Sequence, residues 1–164
     1  LGNAWFVDEI IPVETPNQES DMLRVIDPAS VAVVDRKFSD FVTDSKTPAD
    51  TSAHIELSSY APDVLTYQSN CAFDKTAVFS EIYYPYGWKA YIDGTPVEHF
   101  RVNYLLRALN IPAGNHEIRF EFRPDSVIKG NIISAVFTFV MVAIIVASLS
   151  FACVKNRRNR EETE

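Results

Sequence analysis

The chain has 164 residues, a formal net charge of -7 and only two cysteines. This length is enough for one ordinary domain with its own core. The acidic balance lies in residues 1–130, which carry nineteen acidic and eleven basic side chains, and it argues against nucleic acid as a partner and against adhesion to an anionic lipid surface.

The N-terminal third mixes short elements. Residues 4–13 are rich in β-branched and aromatic side chains and predict a strand. Asn17 is expected to cap a helix over residues 18–26, whose apolar side chains form one stripe. Residues 31–34 predict a short buried strand, and residues 43–52 predict a polar loop.

From residue 54 the pattern changes to period two, which is typical of strands. Residues 54–60 and 64–70 predict one hairpin, and Asp93-Gly94 predicts the turn of a second between 88–92 and 95–100, because this pair tolerates the positive φ of a type I′ turn. A third hairpin is predicted between 105–111 and 116–122. Residues 76–84 are apolar on both faces and predict a central strand.

About seven strands with tight turns predict a mainly β fold, an antiparallel β-sandwich with a short N-terminal helix. The pattern leaves jelly-roll and immunoglobulin-like topologies open. In the last strand Ile118, Phe120 and Phe122 alternate with charged residues, so one face should be core and the other solvated.

The most apolar stretch is residues 132–154, which contain no charged residue, His, Asn, Gln, Pro or Gly. As a helix at ~1.5 Å per residue it would be about 34 Å long, enough to cross a bilayer. Four basic residues follow within residues 155–160, and such clusters stay on the cytoplasmic side. We therefore expect three parts: an extracytoplasmic domain at 1–125, a transmembrane helix at 126–154 and a cytoplasmic basic tail at 155–164.

The start of the chain offers no leader-like segment that would explain export of the β-domain. We therefore expect the chain to be the tail of a longer polypeptide with membrane segments upstream. Cys71 and Cys153 would then lie a membrane thickness apart and could not form a disulfide with each other. The short junction at 124–126 predicts a domain held close to the bilayer surface.

No pattern predicts catalysis, a metal site or a cofactor, since there is no GxSxG, phosphate loop or metal-spaced histidine set. Glu81 stands out because it shares a strand face with Phe79 and Tyr83. Burial would raise the pKa of its carboxyl and suit it to general acid or base chemistry. The alternative is a structural ion pair with Arg101 or Arg107.

Aromatic residues crowd residues 83–104. Exposed rings with nearby charges can stack on sugars, which makes a substrate-binding group of Tyr84, Tyr86, Trp88, Glu81 and Arg101. Two alternatives remain open. The rings could fill the core, above all Trp88, or they could lie at the membrane interface, where Tyr and Trp concentrate.

The stretch AVFSEIYYPYGWKAYIDGTPVEHFRVNYLLRALNIPAGNHEIRFEFRP, residues 77–124, resembles the C-terminal extracytoplasmic segment of the YfhO family of bacterial membrane proteins. LGNAWFVDEI at 1–10 and AVVDRKF at 32–38 resemble Bacteroidetes members of that family. The resemblance covers nearly the whole chain, including a terminal span with a basic tail.

This resemblance implies a multi-pass protein of the bacterial cytoplasmic (inner) membrane, similar to GT-C type glycosyltransferases. Such enzymes move sugar from a polyprenyl-phosphate donor to an acceptor glycan in cell-envelope assembly, and their acidic catalytic residue lies in an early extracytoplasmic loop. No catalytic residue is therefore expected in this chain. A membrane-tethered carbohydrate-binding module and a purely structural or interaction domain are the competing readings.

Overall fold

The computed structural model describes residues 1–43 and 45–161. The chain forms two compact units, Leu1–Arg123, here called the β-domain, and Pro124–Glu164. Within the described part of the β-domain the helices are α1 (Pro16–Met22) and a 3-10 helix (Arg36–Phe41). The strands are β1 (Ala4–Val7), β2 (Glu9–Val13), β3 (Val31–Asp35), β4 (His54–Ala61), β5 (Val64–Cys71), β6 (Lys75–Ile82), β7 (Trp88–Ile92), β8 (Thr95–Val97), β9 (Phe100–Val102), β10 (Leu106–Ile111) and β11 (Gly114–Phe122).

Two antiparallel sheets form the sandwich. The first sheet has the order β1-β6-β10-β9, and the second has the order β4-β5-β11-β7-β8. Between them lies a core to which both sheets contribute, including Phe79 and Leu109 from the first and Tyr67, Ile118 and Phe120 from the second. The predicted mainly β fold class is confirmed.

The outer face of the first sheet is also covered. There β2 and β3 pair as a parallel ribbon, and Ile10, Ala32 and Val34 pack with Val78 and Phe100 in a second apolar cluster. Burial on both faces explains why β6 reads as apolar on both sides, and its predicted central position is confirmed, since it lies between β1 and β10.

Two N-terminal predictions are wrong in detail. Residues 4–13 form two strands rather than one, because the strand is interrupted at Asp8, where the chain passes from the first sheet to the parallel ribbon. The helix begins at Pro16 with Thr15 as its cap, not Asn17, because Thr15 Oγ1 accepts from the Gln18 N–H at 3.3 Å. Its buried side chain is Glu19 rather than an apolar stripe.

The hairpin predictions have mixed outcomes. The β4–β5 and β7–β8 hairpins are confirmed, and Asp93 and Gly94 adopt φ of 50° and 78°. The third hairpin is wrong, since β10 belongs to the first sheet and β11 to the second. Phe100 likewise lies in β9 of the first sheet, and Phe122 is 39% exposed rather than core.

The second unit contains one long helix, α2 (Asp125–Glu161). Lys129–Ser150 within it has a mean hydropathy of 2.7 and is long and apolar enough to cross a membrane. Residues 151–161 are described only as helical backbone, so the structure does not describe the side chains of Cys153 and of the predicted basic tail, nor residues 162–164 or Asp44 of the predicted polar loop.

Candidate functional site

The segment that joins β6 to β7, residues 83–87, brings several rings to one end of the β-domain. Its backbone is fixed at both ends, because the Tyr83 N–H donates to the Leu105 carbonyl at 2.9 Å and the Gly87 carbonyl accepts from the Arg123 N–H at 2.7 Å. The Phe122 ring lies against Gly87, where a Cβ would overlap it. Glycine at this position therefore allows the β11 end to pack on the segment.

Side chains alternate along this segment. Tyr83 and Pro85 line a cleft, whereas Tyr84 and Tyr86 are 47% and 78% exposed. The two exposed rings touch edge to face with centroids 5.8 Å apart. Two adjacent surfaces result, one concave and one outward facing.

The cleft has a volume of about 370 Å³ and lies along β7, β8 and the residues that flank them. Its walls include the rings of Tyr83, Trp88 and Tyr91 and the side chains of Glu98 and His99. A volume of this order is at the small end of ligand sites, which typically combine apolar walls with a few polar groups.

His99 is held in its neutral form. Burial, reinforced by the nearby positive charge of Arg107, lowers the pKa of its imidazole to about 4. The ring contacts Tyr83 and Phe120 at centroid distances of 5.3 and 5.9 Å. Its Nε2 is buried and has no hydrogen-bond partner among the described residues, so this nitrogen is left available to a ligand that reaches it.

Arg107 is a buried cation without a carboxylate partner among the described residues. It is 1% exposed, and its guanidinium carbon lies 4.5 Å from the Trp88 ring centroid and 4.7 Å from that of Phe120. Nη2 donates to the Ile82 carbonyl at 3.2 Å, while Nε and Nη1 lack partners within the described residues. Burial lowers the pKa of this guanidinium to about 10, a shift that the charge of Glu81 opposes, so Arg107 is still charged at neutral pH.

Arg101 has a different role from the one that the sequence suggests. Its Nη2 bonds to Glu19 at 2.7 Å and to Asp35 at 3.3 Å, and Glu19, which is fully buried, also accepts the Tyr104 N–H at 2.7 Å. Burial raises the pKa of the Glu19 carboxyl against these bonds. Arg101 therefore fastens α1 and β3 to the edge of the first sheet.

Glu81 lies at an irregularity of β6. Leu106 pairs with Ile82 and Arg107 with Phe79, so Ser80 and Glu81 have no partner in β10. The predicted ion pair with Arg101 is wrong, because Arg101 bonds to Glu19 and Asp35, and Glu81 acts on Arg107 only as a nearby charge. Glu81 does not line the cleft described above.

Of the predicted binding group, the structure therefore brings together Tyr84, Tyr86 and Trp88. Trp88 and Tyr84 both contact Phe122, with ring centroids 5.3 and 6.4 Å apart. Arg101 instead bonds to Glu19 and Asp35, and Glu81 does not line the cleft. Binding by any of these residues stays a prediction.

Sequence reasoning missed Glu98, His99, Arg107 and Phe122 as members of this region. One signal was present, since Arg107 alternates with Leu109 and Ile111 along a strand and these face the inter-sheet core. A charged residue in an inward register is unusual and marks a site that needs explanation. His99 carries no such signal, because its burial depends on the turn between β8 and β9.

Among the described residues no three His, Cys, Asp or Glu side chains group as metal ligands. Cys71 is buried, and burial raises the pKa of its thiol.

Comparison with known proteins gives one match. The sequence profile of the family described as "Bacterial membrane protein YfhO" matches residues 35–134. The match is more than half of the chain and runs from the end of β3 into the apolar part of α2. Neither a curated protein nor a solved structure matches the chain.

Proposed function

Because the chain belongs to the YfhO family of bacterial membrane proteins, we propose that it is the C-terminal, non-catalytic portion of a polytopic glycosyltransferase. The full protein would move sugar from a polyprenyl-phosphate carrier to an acceptor glycan during cell-envelope assembly. The β-domain would cover the reaction cavity or hold the acceptor.

The observation that carries this proposal is the extent of the family match. Residues 35–134 include most of the β-domain and the beginning of the candidate span, so the family's signature treats a β-domain and a membrane segment as one unit. Of the acids considered for a site, Glu81 and Glu98 are on different elements and only Glu98 lines the cleft. The proposal assigns catalysis to segments upstream, as the family resemblance implies.

The proposal includes a location. The chain would lie in the cytoplasmic membrane of a bacterium with residues 1–125 outside and the C-terminus inside. Its support is the apolar helix at Lys129–Ser150 and the basic residues that follow it in the sequence. GT-C-like chemistry and a Bacteroidetes-type origin belong to the same proposal.

The test compares three forms of the protein in membranes supplied with labelled polyprenyl-phosphate sugar. The full-length protein should transfer label to envelope glycan, and a form lacking residues 1–123 should lose transfer while still inserting. This chain alone should transfer nothing. Transfer by the chain alone would refute the assignment of catalysis upstream, and no transfer by the full-length protein would refute the glycosyltransferase role.

A second function, carbohydrate binding by the β-domain, is favoured by the cleft. Its walls pair rings with Glu98 and a neutral imidazole whose Nε2 has no partner among the described residues. Stacking faces with a few hydrogen-bonding groups suit a sugar, and Trp88 is the ring that we expect to stack.

Binding is best tested with the whole chain in lipid nanodiscs, titrated with envelope oligosaccharides. Glu98→Gln should weaken binding without affecting the fold, since Glu98 is exposed, and Asp21→Asn is a matched control on exposed α1. Trp88→Ala should abolish binding, with circular dichroism to verify folding. Binding that survives both cleft variants would exclude the cleft as the binding surface, whereas no binding by the parent chain would favour a purely structural domain.

A further inference from the structure

One end of the β-domain carries a group of exposed apolar side chains, here called the aromatic end. Tyr86 is 78% exposed, Ile82 59% and Phe122 39%. The other members, each nearly half exposed, are Tyr84, Tyr104 and Leu105. Such a group on one surface is unusual for a protein face that meets only water.

Strand directions explain why these residues meet. The C-terminal ends of β6 and β11 and the N-terminal ends of β7 and β10 lie at the same end of the sandwich, since Ile82 pairs with Leu106 and Phe122 pairs with Trp88. The opposite end carries the Asp93-Gly94 turn and the start of β11 at Gly114, both polar. Phe73, 47% exposed between β5 and β6, also lies at the opposite end, so the exposed apolar side chains are concentrated at the aromatic end but not confined to it.

The chain leaves the β-domain from the aromatic end. Phe122 is followed by Arg123, and the candidate span begins at Lys129. Seven residues can separate Phe122 from Lys129 by at most about 25 Å, even when fully extended. Because β11 has nine residues, its start at the opposite end lies roughly 27 Å from Phe122, at ~3.4 Å per step.

From this connection and the chemistry of the exposed side chains, we propose that the aromatic end lies on the lipid bilayer interface, with Tyr84 and Tyr86 among the headgroups. Tyr rings suit this zone because their bodies are apolar and their hydroxyls remain wet. Attraction to anionic lipid does not drive the contact, because residues 1–130 are net acidic. Zwitterionic lipid is therefore sufficient.

This contact goes beyond the proposed function and does not depend on it, since it needs neither sugar nor transfer. It also explains why exposed and cleft-lining side chains alternate along residues 83–86. Tyr84 and Tyr86 meet lipid, while Tyr83 and Pro85 leave the cleft open beside the membrane surface.

The test places a nitroxide label on the whole chain in phosphatidylcholine vesicles. Tyr86→Cys labels the aromatic end, Ile82→Cys is a second site there, and Thr95→Cys is the control at the opposite end, where Thr95 is exposed beside the Asp93-Gly94 turn. Cys71→Ala and Cys153→Ala supply a background with one labelling site. Power saturation then compares collisions with oxygen, which concentrates in lipid, and with a water-soluble nickel chelate.

The expected result is an oxygen-to-nickel collision ratio that is several-fold higher at residues 86 and 82 than at residue 95. Equal nickel access at the two ends would overturn the proposal. Shielding of residue 86 from both reagents would also overturn it, because it would indicate that a second copy or another protein segment, rather than lipid, covers the aromatic end.

Discussion

Arg101 and Arg107 lie directly opposite each other on β9 and β10, yet their surroundings differ in kind. Arg101 bonds to two carboxylates, Glu19 of α1 and Asp35 of β3, and joins these elements to the first sheet. Arg107 lies between the rings of Trp88 and Phe120, with two nitrogens unpartnered among the described residues.

The two arginines differ in how their charges are compensated. Arg101 is paired with two carboxylates, although its Nε has no partner among the described residues, and this network stabilises the fold. The region around Arg107 contains a cation and a neutral histidine next to a cleft, and its polar atoms are not all used. Unsatisfied buried groups of this kind are uncommon in proteins, and each needs an explanation.

Replacing Arg101 should have the largest effect on stability. Arg101→Met leaves Glu19 and Asp35 without their cation, and stranding a buried charge costs about 3–5 kcal/mol. Denaturant unfolding of the detergent-solubilised chain measures this loss. Arg36→Met is the matched control, because its pair with Glu14 is exposed and exposed pairs contribute little to stability. Equal losses in the two variants would contradict a stabilising role for the buried network.

The pH dependence of the free energy of unfolding should reveal the titration of the His99 imidazole. The pKa of its imidazole is 6.5 when unfolded and about 4 when folded, so between these values the unfolded chain binds a proton that the folded chain does not. This contribution is fully present above pH 6.5 and is lost as the pH falls towards 4, by about 3 kcal/mol at most.

Unfolding of the His99→Gln variant, measured from pH 7.5 to 4, should lack that slope, whereas exposed His54→Gln should retain it. His116 remains in both variants, and because Asp93 raises the pKa of His116, its contribution runs in the opposite direction. An unchanged slope in His99→Gln would mean that another group near Arg107 titrates.

A smaller loss of stability is expected on substitution of Gly87, where a Cβ would overlap the Phe122 ring. Gly87→Ala must displace that ring and its contact with Trp88, and overpacking of this kind costs about 1–3 kcal/mol. Gly130→Ala, with open space around it, is the control. Tryptophan fluorescence of Trp88 should change in Gly87→Ala alone. If neither variant lost stability, the Phe122 ring would be free to move.

The smallest effect is expected at Arg107 itself. Arg107→Met fills the same space without a buried charge, and such replacements are often neutral or stabilising, here within about 1 kcal/mol of the parent. The same variant should raise the pKa of His99, because the Arg107 charge helps to lower it; proton NMR of the imidazole measures this shift. If Arg107→Met lost as much stability as Arg101→Met, the two regions would not differ in their contribution to stability.

Local patterns predicted a large part of the β-domain. The β4–β5 and β7–β8 hairpins follow from alternation and turn chemistry, and Asp93-Gly94 has the positive φ values that this pair favours. The prediction failed for residues 105–122, because a short connection with proline and glycine is as compatible with a crossing between sheets as with a hairpin. Only packing determines which sheet each strand joins.

The candidate site was less predictable. Aromatic crowding alone pointed to Tyr84, Tyr86 and Trp88, whose role in binding stays a prediction, whereas Arg101 was assigned to binding and is held by Glu19, a residue more than eighty positions away. An acid in the first turn of a helix reads as a dipole or capping effect. Its complete burial depends on Arg101 and the Tyr104 N–H, and neither is local.

The sequence by itself determined the elements whose cause is local. These are the membrane-length helix, set by an uninterrupted apolar run, the β7–β8 hairpin, set by a residue pair that tolerates positive φ, and the mainly β class, set by period-two alternation. Tertiary structure alone decided how charges are satisfied, because hydrogen-bond partners and burial come from strands distant in the chain. Tertiary structure therefore holds Arg101 between two carboxylates, whereas Arg107, its partner on the neighbouring strand, lies next to a cleft.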